Sequence, residues 1–174
     1  MFPSFVRHYS EIQEPDDAHY PGSEELHSIG SPFSRELGLT QIGVHHELLP
    51  PGRRTSFPHA EETDEEFVFV IEGNPDLWLD GRLYRLSPGF GVAFRAGTGI
   101  AHTFINNTKF IARLLVVGSP TIPRSRTYYP LNPEIKDLRP SRWWSCPFPP
   151  ELGPHNGLPE WCAAIRVRDQ RQSG

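Results

Sequence analysis

The chain has 174 residues, which suits one domain large enough to bury a single core. Its formal net charge is −4 and no basic stripe runs along it, so we predict no nucleic-acid partner. No apolar run is long enough for a membrane-spanning helix, and the first residues lack a leader pattern, so we expect a soluble, cytoplasmic protein without a membrane partner.

Residues 1–38 are rich in Pro, Gly, Ser and Asp and show little periodicity, which predicts an extended N-terminal arm lying on another surface. Residues 39–49 alternate as a half-buried strand does. One face of this strand carries Ile42, Val44, His46 and Leu48. If that face is the inner one, His46 looks into the core, either as a buried structural histidine or as a residue that contacts a ligand.

Six further short strands are predicted between residues 67 and 117, separated by turn residues and without a helical period. They cover residues 67–71, 77–79, 82–86, 92–94, 100–106 and 110–117. Residues 67–71 are apolar on both faces, so we expect them inside a sandwich. The pattern predicts an all-β antiparallel sandwich or barrel over residues 39–118.

Residues 119–174 contain ten of the nineteen prolines together with several large aromatic residues, such as Trp143, Trp144 and Trp161. Proline excludes a central strand, yet aromatic side chains are costly to leave in water. We therefore predict a C-terminal tail that wraps the barrel or a neighbouring subunit, with a disordered polar end from residue 166. We interpret Cys146 and Cys162 as free thiols, although a pair remains open.

The densest charge in the chain follows His59, where five carboxylates occur within six residues: Glu61, Glu62, Asp64, Glu65 and Glu66. Two carboxylates ~4 Å apart repel by about 4 kcal/mol at an effective dielectric of 20, so they must separate into water or share a cation. His59 and Glu61 point to the same side of an extended strand, which indicates a metal ion as that cation.

Two spaced motifs resemble those of the cupin superfamily, whose members are jelly-roll barrels that commonly hold a divalent metal. The first motif is carried by Gly52, His59, Glu61, Glu66 and Gly73. The second is carried by Gly91, Gly97, Gly99, His102 and Asn106. The first spacer is one residue longer than usual, Glu61 replaces a histidine, and Gly97 replaces a proline. The stretches AGTGIAHTFIN and LGPHNGLP look most like a branch of small single-domain cupins whose members mostly lack an assigned reaction.

By position in these motifs, the resemblance implies His59, Glu61, Glu66 and His102 as ligands of Zn, Fe, Mn or Ni. Three interpretations stay open: all four residues bind the metal; Glu61 swings out and leaves three ligands; or the site has lost its metal and the pocket binds a ligand without one. If Glu61 is not a ligand, it is placed to act as a general base.

Strand parity adds Val68, Phe104 and Asn106 to the expected pocket, and Phe57 precedes His59 by two residues at its mouth. Together with His46 these are the candidate substrate contacts, and they favour a small apolar or aromatic ligand.

The resemblance implies a metal-dependent enzyme acting on a small carbonyl-bearing molecule, as a dioxygenase, isomerase or lyase. The alternative is a small-ligand-binding protein without catalysis. The arm and tail, and the way cupins commonly pair, predict a homodimer.

Overall fold

Antiparallel strands dominate the part of the chain that the structure, a computed structural model, describes: residues 2–120 and 125–160. The strands are β1 Ile29–Ser31, β2 Gly43–Leu49, β3 Ala60–Glu61, β4 Glu66–Glu72, β5 Asp76–Leu79, β6 Arg82–Arg85, β7 Gly91–Phe94, β8 His102–Ile105, β9 Ala112–Gly118 and β10 Thr127–Tyr128. The helices are α1 Phe33–Leu37, α2 Ile135–Leu138 and two 3-10 turns, Tyr9–Glu11 and Pro140–Arg142.

Two sheets form the barrel. The larger sheet has the order β1-β2-β9-β4-β7, and the smaller has the order β6-β5-β8. The segment before β3 lies along β8, where Thr55 N donates to Phe104 O at 2.9 Å. A third pair, β3 and β10, joins the tail to this segment. The prediction of an all-β jelly roll is confirmed, whereas β1, β3 and β10 are too short to leave a periodic signal.

The core between the sheets comes from one face of each strand. The buried cluster comprises Leu49, Val68, Val70, Leu77, Leu86, Phe104, Ala112 and Leu114. Strand β4 shows the alternation clearly, since Val68 and Val70 are 1% and 0% exposed while Phe67, Phe69 and Ile71 are 37–43% exposed. The expectation that residues 67–71 are buried on both faces is therefore wrong, because the outer face of β4 has no covering layer among the described residues.

The N-terminal arm lies on the barrel of its own chain. Tyr9 stacks on His46 with ring centroids 4.2 Å apart. Glu25 forms two hydrogen bonds with the buried guanidinium of Arg54, at 2.6 and 2.8 Å. β1 adds a short strand beside β2. The arm is thus part of the folded unit.

The tail also contacts the barrel. Trp78, which is fully buried, donates its indole N–H to His155 O at 2.9 Å. Gly81 adopts a positive φ of 82°, and a Cβ there would lie 2.3 Å from Gly153 O, so only glycine allows the tail to pass. The predictions for Trp161, Cys162 and the end from residue 166 lie outside the described residues.

The longest helix in the described ranges has five residues, so none could cross a membrane.

Candidate metal centre

The backbone pairing of His59 with His102 positions the candidate metal centre. His59 and His102 oppose each other in an antiparallel bridge, with His59 N donating to His102 O at 3.1 Å and His102 N donating to His59 O at 2.9 Å. Directly opposed residues of such a pair project to the same face. The two imidazole rings accordingly lie 5.0 Å apart, centroid to centroid.

A hydrogen bond at Nδ1, the ring nitrogen that does not contact Glu61, orients His59. Its Nδ1 lies 2.8 Å from Phe57 O, which can only accept, so Nδ1 carries a proton. Its Nε2 lies 2.9 Å from Glu61 Oε1. Burial lowers the pKa of His59, but the charge and hydrogen bond of Glu61 outweigh burial and raise this pKa to about 10. Burial raises the pKa of Glu61, but His59 outweighs it and lowers this pKa to about 2.

His102 and Glu66 meet on the other side of the cluster. His102 Nε2 lies 3.3 Å from Glu66 Oε1. The His102 ring stacks on Phe94 with centroids 3.4 Å apart and an interplanar angle of 4°. Its Nδ1 is buried without a hydrogen-bond partner among the described residues, so stacking fixes this ring. Glu62 turns away and pairs with Arg126 at 2.6 Å.

The donor set fits a divalent transition metal. His59, Glu61 and His102 each offer one ligand atom, and these atoms lie within 4.8 Å of one another. Two atoms that each bind a metal at about 2.1 Å lie at most about 4.2 Å apart, so small side-chain rotations suffice. Glu66 already contacts His102 and can join the set by rotation. Imidazole nitrogens and carboxylates suit Zn, Fe, Mn and Ni alike, so these ligands do not select among them.

A cavity of about 160 Å³ opens beside the cluster inside the barrel. Its apolar wall includes Val68, Phe104 and Val116, and its polar wall includes Glu47, Thr55, Ser56, His59, Glu66 and His102. A neighbouring cavity of about 200 Å³ shares Glu47, Glu66 and Val116 and also contains Glu61. The centre therefore has room for a small molecule and meets it with both polar and apolar surface.

Three expected pocket residues lie elsewhere. His46 is on the outer face of β2 against Tyr9, while His45 and Glu47 face the cavities, so the expected inward orientation of His46 is wrong. β2 carries apolar residues on both faces because the arm covers the outer one. Phe57 stacks on Tyr20, with centroids 4.1 Å apart, outside the barrel cavity.

Asn106 also lies away from the cavity. Its amide N–H₂ donates to Leu49 O at 2.8 Å and Phe110 O at 2.7 Å, and its amide oxygen accepts from the N–H and hydroxyl of Thr108. These bonds use the full capacity of the side chain, which gives Asn106 a structural place in the barrel.

Glu47, Thr55 and Ser56 line the cavity and were not singled out from the sequence. Glu47 is partly buried and accepts a hydrogen bond from Ser28 at 2.6 Å. Burial raises its pKa to about 7. A carboxylate at the centre of a predicted strand is the signal that could have identified it.

A family model described as a cupin domain matches residues 45–118. These residues form a cupin domain. The match includes all four expected ligands and the strands that carry them. The resemblance drawn from the two motifs is thereby confirmed.

Solved structures with the same cupin architecture extend the comparison. A sugar phosphate isomerase of the cupin superfamily from Silicibacter pomeroyi is 36% identical, with a TM-score of 0.56. The alignment covers 59% of this chain and only 64% of that one. A putative sugar phosphate isomerase from Acidithiobacillus ferrooxidans is 22% identical over 73% of this chain and 81% of that one, with a TM-score of 0.63.

The polyketide cyclase RemF from Streptomyces resistomycificus is 20% identical over 83% of this chain and 100% of its own, with a TM-score of 0.58. At these identities the Acidithiobacillus and Streptomyces proteins are evidence for the fold alone. No curated protein matched the chain.

Proposed function

We propose that this cupin is a metal-dependent enzyme of the isomerase type that acts on a small, hydroxylated carbonyl compound. The observation that carries the proposal is the convergence of His59, Glu61 and His102 beside a cavity that also contains Glu47. Among the oxygenase, isomerase and lyase reactions implied by the resemblance, the 36% identity to a sugar phosphate isomerase favours the isomerase.

The candidate ligands are His59, Glu61 and His102, with Glu66 beside them. A divalent cation held there would supply a Lewis acid for a substrate carbonyl. The protein's own part is orientation: Phe57 O holds the His59 ring with Nε2 toward the cluster, and Phe94 holds the His102 ring by stacking. Such outer contacts keep ligand geometry in place.

Glu47 is the residue to which we assign proton transfer. Glu61 is engaged by His59, whereas the Glu47 carboxyl lines both barrel cavities and is held by Ser28. Its pKa, raised to about 7 by burial, is in the range that suits an acid–base group at neutral pH. In the isomerisation, the Glu47 carboxylate takes a proton from the carbon that bears the hydroxyl group and returns it to the former carbonyl carbon. The hydroxyl proton passes to the carbonyl oxygen, so the carbonyl and hydroxyl groups exchange places. No co-reactant is needed.

The cavity wall narrows the substrate class. Carboxylates and hydroxyls at Glu47, Thr55, Ser56 and Glu66 can hydrogen-bond to substrate hydroxyls. The apolar residues of the cavity wall are Val68, Phe104 and Val116. This balance favours a hydroxylated molecule over the apolar or aromatic ligand that the sequence suggested.

The test is solvent exchange at carbon. Metal-loaded protein is incubated in D₂O with small aldoses and ketoses, with and without a phosphate group, and deuterium at the carbon next to the carbonyl is followed by NMR. We expect incorporation with the wild type, loss in Glu47→Gln, and no loss in Glu72→Gln, an exposed control. The absence of incorporation for every substrate with folded, metal-loaded protein overturns the proposal.

A second candidate is a small-ligand-binding protein without catalysis. It is favoured by the 2.9 Å pair of His59 and Glu61, which satisfies both groups without an ion. Under this function, protein reconstituted with Zn, Fe, Mn or Ni retains none after desalting. Retained metal would contradict this candidate, which requires a degenerate metal site.

We also propose a homodimer. The outer face of β4 leaves Phe67, Phe69 and Ile71 more than a third exposed, and a contiguous apolar surface of this kind is typical of an interface. Light scattering should give twice the chain mass, and Phe69→Lys should shift it toward the monomer. A monomeric wild type contradicts this proposal.

A further inference from the structure

The tail stretch LGPHNGLP contains the only Asn-Gly pair in the chain, Asn156 and Gly157. Asn156 is exposed, so water reaches its side chain. The side-chain amide of an asparagine can be attacked by the backbone nitrogen of the next residue, which closes a cyclic imide and releases ammonia. Glycine in the second position favours this reaction, because it has no Cβ to hinder the approach. The pair is therefore a candidate site of chemical modification.

The imidazole of His155 lies against the backbone nitrogen that attacks in this reaction. Gly157 N–H donates a hydrogen bond to His155 Nδ1 at 3.1 Å. Since Nδ1 accepts here, it carries a lone pair and no proton. Burial lowers the pKa of His155 and outweighs the charges of Glu160 and Asp76, which raise it, so the ring is neutral at neutral pH. His155 is thus placed to take the proton from the attacking nitrogen.

The carbonyl group of the Asn156 side chain has a hydrogen-bond donor of its own. Leu158 N–H donates to Asn156 Oδ1 at 3.1 Å. A backbone N–H in this position stabilises the negative charge that develops on the oxygen when the carbonyl carbon becomes tetrahedral. The fold therefore positions both a base and an oxyanion donor before the reaction begins.

Backbone hydrogen bonds on both sides of the pair hold it against the barrel. His155 O accepts from the indole N–H of Trp78 at 2.9 Å, and His155 N donates to Gly81 O at 3.0 Å. Gly157 O accepts from the guanidinium of Arg54 at 2.8 Å. Since these bonds use backbone atoms of the tail, a substitution of the His155 side chain leaves them in place.

We infer that this part of the tail modifies itself: His155 assists the closure of a cyclic imide between Asn156 and Gly157, which water then opens to aspartate or isoaspartate. The site is independent of the metal centre, and water is the only co-reactant.

The proposed reaction is a transfer of the Asn156 acyl group from ammonia to water. The Gly157 nitrogen gives its proton to His155 Nδ1 and forms a bond to Asn156 Cγ, while the carbonyl electron pair moves to Oδ1. That pair returns as the Cγ–Nδ2 bond breaks, and the proton on His155 leaves with Nδ2 as ammonia. Water then adds to either carbonyl of the imide and opens the ring, with no change of oxidation state.

The isoaspartate product changes the path of the main chain, which then runs through the side-chain carbons of residue 156. Gly157 has little room to adapt, because a Cβ on it would lie 2.7 Å from Pro58 Cγ. We therefore expect the hydrogen bond between Gly157 O and Arg54 to be lost, which loosens the tail from the barrel.

The test compares Asn156 in the folded and the unfolded chain. The full chain is incubated at neutral pH and physiological temperature, with and without guanidinium chloride, and its tryptic peptides are analysed by mass spectrometry for loss of ammonia and uptake of water. We expect modification of Asn156 to be at least about tenfold faster in the folded chain, because only there are the base and the donor in position. Asn107, whose side chain bonds to Asp76 and to the backbone of Glu160, should stay unmodified.

Two variants test the role of His155. His155→Gln should slow the modification in the folded chain to the rate of the unfolded chain, and should leave the unfolded rate unchanged. His19→Gln is the matched control, because His19 is an exposed histidine of the arm that bonds to the nearby Asp17 O. Near-UV circular dichroism checks that both variants are folded.

A third variant separates the change in charge from the change in the main chain. Asn156→Asp supplies the carboxylate on a normal backbone and should keep the melting temperature of the wild type. The isoaspartate fraction isolated from aged protein should melt at a lower temperature than the unmodified fraction.

Equal or slower modification in the folded wild type overturns the inference, and so does an unchanged rate in folded His155→Gln. The first comparison uses the wild type alone, so it decides the question even if the variant does not fold. Either failure leaves the proposed metal enzyme untouched, because Asn156 and His155 are not among its candidate ligands.

Discussion

His59 and His102 exchange both backbone hydrogen bonds across one antiparallel bridge, and their rings lie 5.0 Å apart on the same face. Their proximity is a consequence of strand pairing, so it does not need an ion. The centre is therefore preorganised by the barrel.

Metal removal tests this preorganisation. After treatment with a chelator, we expect a cooperative thermal transition and an unchanged near-UV circular dichroism spectrum, because the core packing does not depend on the ion. The midpoint should fall, since a ligand that binds only the folded state stabilises it by mass action. Loss of the near-UV signal on chelation would mean that the metal organises the barrel.

Glu47→Gln should stabilise the chelated protein at high pH. Burial raises the folded-state pKa of Glu47 from 4.5 to about 7, so between these values the folded chain keeps a proton that the unfolded chain releases. The free energy of unfolding of the wild type therefore falls as pH rises through this window. The increase in the free energy of unfolding caused by Glu47→Gln should be small at pH 4.5 and reach at most about 3 kcal/mol at pH 8.

Urea denaturation at several pH values measures this gain. Glu72→Gln serves as the control. Because Glu72 is exposed, its effect on the free energy of unfolding should not change with pH over this window. A Glu47→Gln gain that is equal at all pH values would contradict a raised pKa at this site.

Glu61→His should retain metal binding, because it supplies the imidazole that cupins usually have at this place. Glu61→Ala should weaken zinc binding, since it removes one of the three converging ligands. Glu62→Ala is the matched control, because Glu62 pairs with Arg126 outside the cluster. Competition with a chromophoric chelator measures the affinities, and equal affinities for Glu61→Ala and Glu62→Ala would remove Glu61 from the ligand set.

Arg54→Leu should lower the free energy of unfolding by about 2 kcal/mol, because it removes the hydrogen bonds of a buried guanidinium to Glu25 and leaves Gly157 O without its donor. Arg54 is 3% exposed and joins the arm through Glu25 and the tail through Gly157 O, at 2.8 Å. The neighbouring Arg53→Leu should have little effect, because its partner Asp16 is exposed. Chemical denaturation of both variants tests this, and similar losses would show that Arg54 has no special role.

The sequence was informative where strands alternate and turns separate them. Each strand predicted between residues 39 and 117 is present. Of the four residues that the motifs supplied, His59, Glu61 and His102 have ligand atoms close to one another, and Glu66 contacts His102. Motif spacing succeeded because it reflects the regular pairing of strands, which places His59 opposite His102.

Prediction of side-chain orientation from the sequence failed where a third layer covers a strand or where the chain bends irregularly. The arm covers the outer face of β2, so apolar parity assigned His46 inward in place of Glu47. The chain bends at residues 55–58, so the two-residue parity that placed Phe57 beside His59 does not hold. The cavity that contains Glu61 and Ser125 is formed by β10, the tail and the acidic stretch, which are distant segments whose contact no local pattern encodes.

Metal stoichiometry is the most direct test of the central claim. Protein reconstituted with zinc or manganese and then desalted is analysed for bound metal, alongside His59→Ala, His102→Ala and the outer-face control His46→Ala. We predict one ion per chain in the wild type and in His46→Ala, and loss of that ion in the other two variants. Unchanged metal content in His59→Ala and His102→Ala, or none in the folded wild type, would contradict a metal centre between these histidines.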